Sequence, residues 1–100
     1  MTEDDTILCQ TPSPGKKGTR IPKWKYDTVR RAIRMVVPES ARGLEFQELP
    51  DLVQQLLSKN ELDRLGSVMW HTVTVKLHLE TIGEIERVPR VTPQRIRLVR

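Results

Sequence analysis

A single cysteine, four aromatic residues and no long apolar run set the first limits on this 100-residue chain. Cys9 alone cannot close an internal disulfide, which suits a reducing compartment and reads as an ordinary thiol. A transmembrane helix needs roughly 20 apolar residues in succession, and no such stretch exists. The opening Met1-Thr-Glu-Asp-Asp5 is acidic where a secretory signal is basic, and no apolar segment follows it. A cytoplasmic location and no membrane partner are therefore expected.

Catalytic and metal-binding patterns are missing as well. His71 and His78 are seven residues apart, about two helical turns or roughly 10 Å, and there is no second cysteine or third histidine to complete a ligand set. Gly15-Lys-Lys-Gly18 lacks the preceding strand and the spacing of a phosphate-cradling loop. No motif sets a nucleophile beside an oriented base. The expectation is a protein that is not an enzyme, with no catalytic residue, metal, cofactor or small-molecule substrate.

What the chain does have is charge, unevenly placed. With 37% apolar and 30% charged residues it suits one domain with one modest core. Residues 16–42 carry nine bases against two acids, and residues 87–100 carry five arginines and no acid. Acids outnumber bases in each of the other stretches. Two basic blocks in a chain of net charge +4 point towards a polyanionic partner.

Residues 1–21 are rich in Pro, Gly, Ser and Thr and read as an N-terminal arm. The arm is either disordered or laid on the body through Ile7, Leu8 and Ile21, and residues 22–100 form the domain proper. Pro22 suits a first helical turn, Tyr26, Val29, Ile33 and Val36 recur at helical spacing, and Pro38 ends the run. Asp27 and Arg31 stand one turn apart on this helix, a pairing worth a few tenths of a kcal/mol. Gly43–Phe46 reads as a brief extended stretch. Leu49, Leu52, Val53, Leu56 and Leu57 mark a second helix with Pro50 in its first turn. Lys59–Gly66 reads as a polar connection with Leu62 and Leu65 tucked inward.

Ser67 is a good N-cap for a third helix that stops at Gly83. Stepping round its axis gives two apolar stripes on nearly opposite sides, Val68, Val75, Leu79 and Ile82 on one and Met69, Trp70, Val73 and Leu77 on the other. Two polar strips separate them: His71, Thr74, His78 and Thr81, then Thr72, Lys76 and Glu80. Both apolar sides are expected to be covered, the second by the arm, by the core or by a second copy of the chain. Alternating residues then give two short strands, the first carrying Ile85 and Val88 and the second Ile96 and Leu98, joined by a turn from Pro89 to Pro93.

The order helix, strand, helix, helix, strand, turn, strand is that of an α+β, mainly α, winged helix-turn-helix domain with three helices and a small antiparallel sheet. The stretch Thr74-Val-Lys-Leu-His-Leu-Glu-Thr-Ile-Gly-Glu-Ile-Glu-Arg-Val-Pro89 resembles the third-helix-to-wing junction of that superfamily. With Pro14-Gly-Lys-Lys-Gly-Thr19, Lys25-Tyr26 and Pro93-Gln-Arg95, it is similar to a family of small bacterial winged-helix-like proteins with no assigned function. The similarity covers residues 14–97; it implies a fold and brings no catalytic residues.

The expected activity is binding of double-stranded DNA by a small regulator-like module. Lys16, Lys17 and Arg20 on the arm, Arg30 and Arg34 on the first helix, and Arg87, Arg90, Arg95 and Arg97 on the wing would reach phosphates. His71, Thr74 and Lys76 would face the groove, although a base-reading helix usually offers Arg, Lys, Asn or Gln. The alternative is a protein-interaction or dimerisation module, in which Met69, Trp70, Val73 and Leu77 meet a protein partner or a homodimer mate.

Overall fold

Within the segment read as an arm, Thr6–Cys9 (β1) and Thr19–Pro22 (β2) pair as an antiparallel hairpin, with Ile7 opposite Ile21 and Cys9 opposite Thr19. The computed structural model describes residues 5–99. Alternation in these strands turns Cys9 and Ile21 into the core, and Ile7 packs against it. Of the three expected anchors, Leu8 instead stays exposed. The Lys23 N–H donates to the Asp5 carbonyl at 2.8 Å, fastening the hairpin to the helix that follows.

That helix, α1, runs Lys23–Val36 and buries Tyr26, Val29, Ala32 and Ile33. Its acid pairs backwards: Lys23 Nζ lies 2.8 Å from Asp27 Oδ2, while Arg31 reaches Glu61 at 3.1 Å. A two-residue strand, Leu44–Glu45 (β3), leads through a 3-10 turn at Phe46–Glu48 into α2, Leu49–Leu56, with Pro50 in its first turn.

Among the described residues there are four α-helices where three were expected. Lys59–Leu65 is a helix, α3, because Ser58 and Glu61 form a reciprocal cap. The Glu61 N–H donates to Ser58 Oγ at 3.1 Å, and the Ser58 N–H donates to Glu61 Oε1 at 2.9 Å. Two of the unpaired N–H groups at the helix start are thereby satisfied, and Leu65 is driven into the core.

Helix α4 covers Val68–Thr81, capped by Ser67, whose hydroxyl accepts from the Trp70 N–H at 3.0 Å. Gly83, at φ +82°, stops it. Strands β4 (Ile85–Arg87) and β5 (Arg95–Leu98) follow, and the sheet order is β3-β5-β4, all antiparallel. A Cβ on Gly43 would strike the Ile96 carbonyl oxygen, so β3 can approach β5 only through this glycine. The fold is thus α+β, with four α-helices and two small antiparallel sheets around one core among the described residues. No helix among the described residues is long and apolar enough to cross a membrane.

Candidate interaction face on the fourth helix

Helix α4 is turned against expectation. Its buried residues are His71, Thr72, Val75, Lys76, His78 and Leu79, so the stripe that enters the core brings both neighbouring polar strips with it. The second apolar stripe is left outside. Met69 is 59% exposed and Trp70 45%, while Val73 and Leu77 are half-buried. Of the coverings expected on this outer side, neither the arm nor the core reaches Met69 and Trp70. The cause is the hairpin's position: the Gln10 N–H donates to His78 Nδ1 at 3.0 Å, so the arm closes over the polar edge of α4 rather than over Trp70. At the other end of the core-facing stripe, Ile82 is also exposed.

The inward polar groups are held by named partners. Lys76 is 2% exposed; its Nζ donates to Glu80 Oε1 and Gln94 Oε1, each at 2.6 Å, and sits 4.4 Å from the Phe46 ring centre. Burial pulls its pKa below the ordinary lysine value, against the opposing carboxylate of Glu80. His71 Nδ1 lies 2.7 Å from the Ser67 carbonyl, which can only accept, so this nitrogen carries the proton. His78 Nδ1 accepts from Gln10 and is unprotonated, with Tyr26 edge-on at 5.6 Å. Burial lowers the pKa of both imidazoles, so the neutral forms are favoured. Thr72 Oγ1 is buried with no hydrogen-bond partner among the described residues. His71 and Lys76, expected to face a DNA groove, point into the fold; only Thr74 of the three is half-exposed.

The expected phosphate-binding arginines divide in the same manner. Arg30 donates through both Nε, at 3.0 Å, and a terminal nitrogen to the Glu84 carboxylate, and Arg34 adds a contact at 3.1 Å. The Arg30 hydrogen bond is the main reason the Glu84 carboxyl is held below its ordinary range. Arg87 meets Glu80 at 3.2 Å and Arg97 meets Glu86 at 2.7 Å. Arg95 spans Glu45 at 3.6 Å and the carbonyls of Arg42 and Gly43. Lys16, Lys17 and Arg20 on the hairpin, and Arg90 at φ +60° in the wing turn, are exposed and have no ion-pair partner among the described residues. The acceptors Glu80, Glu84 and Gln94 were not singled out as functional from sequence, because nothing in their spacing says which arginine or lysine they meet.

The hairpin loop overhangs the middle of α4 and leaves two clefts that share Leu77. The larger, about 490 Å³, lies between Pro12 and Pro14 on one side and Ile85, Glu86 and Arg87 on the other. The smaller, about 200 Å³, is lined by Lys16, Lys17 and three threonines, with Cys9 also among its walls. Burial raises the Cys9 thiol from 9.0 to about 11, so it stays protonated and inert at neutral pH. Among the described residues no three His, Cys, Asp or Glu side chains are grouped to hold a metal ion.

Residues 6–96 match the family described as Family of unknown function (DUF6958). The chain belongs to that family. No curated protein and no solved structure matches it. The matched span begins with β1 and ends inside β5, so it takes in both strands of the hairpin.

Proposed function

We propose that this DUF6958 chain is a winged-helix domain used as a protein-interaction module, with the outer face of α4 as its contact surface. The order α1, β3, α2, α4, β4, β5 and the sheet order β3-β5-β4 support the winged-helix reading, with α3 as an added turn of helix between the second and third core helices. One observation carries the functional reading: α4 buries Thr72, Lys76, His71 and His78 while exposing Met69 and Trp70. A helix that hides its polar groups and shows tryptophan and methionine is built for an apolar partner, and aromatic residues and methionine are enriched at interfaces. The partner is an acidic, amphipathic protein segment. Lys16 and Lys17 line a cleft that reaches Leu77 and has no acid in its walls, so the apolar face has a cationic rim on that side; Glu80 and Glu86, in the cleft on the other side of Leu77, are already met by Lys76, Arg87 and Arg97. Two copies joined through this face would bring those like charges together.

Binding of a labelled helical peptide with leucine on one face and glutamate on the other tests this, measured by anisotropy against a leucine–lysine counterpart. The acidic peptide is expected to bind and to lose at least about tenfold in affinity to Trp70→Ala, since an exposed aromatic anchor contributes about 2 kcal/mol at an interface centre. Failure of both peptides, or equal binding of both, would sink the reading. A dimer in sedimentation that Trp70→Ala dissociates would reassign the face to a second copy.

A second reading keeps duplex DNA as the partner, supported by Lys16, Lys17, Arg20 and Arg90, four of the expected phosphate contacts, which have no ion-pair partner among the described residues. It makes a bounded prediction. If those four make the phosphate contacts, the slope of log affinity against log salt stays no steeper than about −4, at about −0.9 per phosphate.

A further inference from the structure

The smaller cleft has a chemistry of its own. Lys16 and Lys17 supply two ammonium groups, and Thr11, Thr19 and Thr74 supply three hydroxyls. No aspartate or glutamate lines it. Thr11 Oγ1 already accepts from the Ser13 N–H at 3.3 Å, but the hydroxyls of Thr19 and Thr74 have no hydrogen-bond partner among the described residues. The loop is not a loose basic tail. One end is fixed to α4 by the hydrogen bond from Gln10 to His78. At the other end, a Cβ on Gly18 would lie 2.5 Å from the Cys9 carbonyl oxygen and 2.9 Å from Leu8 Cδ1, so the two strands meet more closely than any side chain would permit. The backbone at both ends of the loop is therefore set before any ligand arrives, which lowers the ordering cost of binding.

We propose that this cleft binds a phosphate monoester, whose terminal oxygens take the threonine hydroxyls and whose charge is met by the two lysines. A monoester carries close to two negative charges above its second pKa of about 6, matching the two ammonium groups. A backbone phosphodiester carries one charge and continues on both sides of the phosphorus. The cleft exceeds the volume of the phosphate group, leaving room for the first atoms of the esterified group beside Leu77. The ester comes either from a phosphorylated small molecule or from a phosphorylated side chain. The site shares Lys16, Lys17 and Leu77 with the rim of the outer face of α4 but uses neither Met69 nor Trp70, so Trp70→Ala separates phosphate binding from peptide docking.

The test is a titration of amide resonances with inorganic phosphate, against chloride at matched ionic strength, well above the second phosphate pKa of about 6. Saturable shifts are expected at Gly18, Thr19 and Thr74. The double variant Lys16→Gln with Lys17→Gln should weaken them at least about tenfold, as loss of charge-assisted contacts does. Trp70→Ala should leave them unchanged. Glycerol 3-phosphate and a phosphoserine within a glycine–alanine peptide form two further arms; tighter binding of one over the other identifies the source of the ester. Shifts reproduced by chloride, or indifferent to the double lysine variant, would overturn the proposal. So would displacement of phosphate by duplex DNA at a lower concentration of phosphate groups.

Discussion

The hairpin and the wing contain the same kind of residue in opposite circumstances. Arg87, Arg95 and Arg97 in the wing, with Arg30 and Arg34 beside it, each meet a carboxylate or a backbone carbonyl of the fold. Lys16, Lys17 and Arg20 in the hairpin meet none among the described residues. Counting bases along the chain treats the two blocks as equals. Folding divides them differently: Arg30 and Arg34 of the first block join the wing arginines in holding the structure, while the hairpin cations and Arg90 are left free among the described residues, because the acids at positions 45, 80, 84 and 86 are brought beside the wing strands and none is brought to the cleft in the hairpin.

The strongest way to break this comparison is to remove the charge at the centre of the structural block. Lys76→Met leaves the buried Glu80 carboxylate with Arg87 alone and deprives Gln94 of its donor, at an expected cost of about 3 kcal/mol in urea denaturation. A variant as stable as wild type would show that the pair contributes nothing. Next is Glu84→Gln, which removes the shared acceptor of Arg30 and Arg34 and should cost about 1 kcal/mol. It also frees two arginines. If the second reading holds, the salt slope of duplex binding should then steepen by up to about two units, and an unchanged slope would show that these arginines face away from the duplex.

A smaller effect follows from pH. His71 and His78 are both held below the ordinary histidine value by burial, so the unfolded chain binds protons more readily than the folded one. Stability is therefore full above about pH 6.5 and falls as the pH drops through the lower folded values. Protonation of His78 also removes the acceptor for Gln10, so exchange of the Gln10 amide should quicken over the same range. His78→Asn, which retains an acceptor near that position and cannot titrate, should abolish the Gln10 response and lessen the stability response to the part due to His71; persistence of the full pH dependence would assign it elsewhere. Smallest of all is the stability change of the double Lys16→Gln, Lys17→Gln variant, within about 0.5 kcal/mol as for other exposed positions. A larger loss would mean the hairpin lysines are structural after all.

Much of the fold was legible because the chain marks its boundaries. Pro22, Pro38, Pro50, Ser67 and Gly83 each stand at or beside a helix end, and the short stretch at Gly43–Phe46 contains β3. The cap that makes α3 was also written plainly, as Ser58-Lys-Asn-Glu61, but a seven-residue helix with little apolar periodicity is hard to tell from a polar connection. The hairpin was less visible still. Its strands have four residues each, and the proline- and glycine-rich loop between them dominates the local composition.

For the candidate site, periodicity found both stripes of α4 and could not rank them. Val75 and Leu79 enter the core because the groups beside them find partners there: His78 the hairpin backbone, Lys76 the wing. Those partners lie 18 or more residues away in the chain, apart from Glu80, and no local pattern encodes them. The Met69–Leu77 stripe is exposed by default, since nothing in the fold reaches it with comparable complementarity.

The two tryptophans sit in unlike surroundings, and this gives the protein an optical signal of its own. Trp24 is flanked by Lys25 and by the guanidinium of Arg64, 4.6 Å from its ring centre. Trp70 is nearly half exposed, with the His71 imidazole edge-on at 4.8 Å. Exclusion of water from the outer face of α4 would shift the emission of Trp70 to shorter wavelength and leave that of Trp24 in place. An imidazolium at position 71 would quench it. The indole at the centre of the exposed face thus reports, without any label, both the arrival of a partner and the charge of the histidine beneath it.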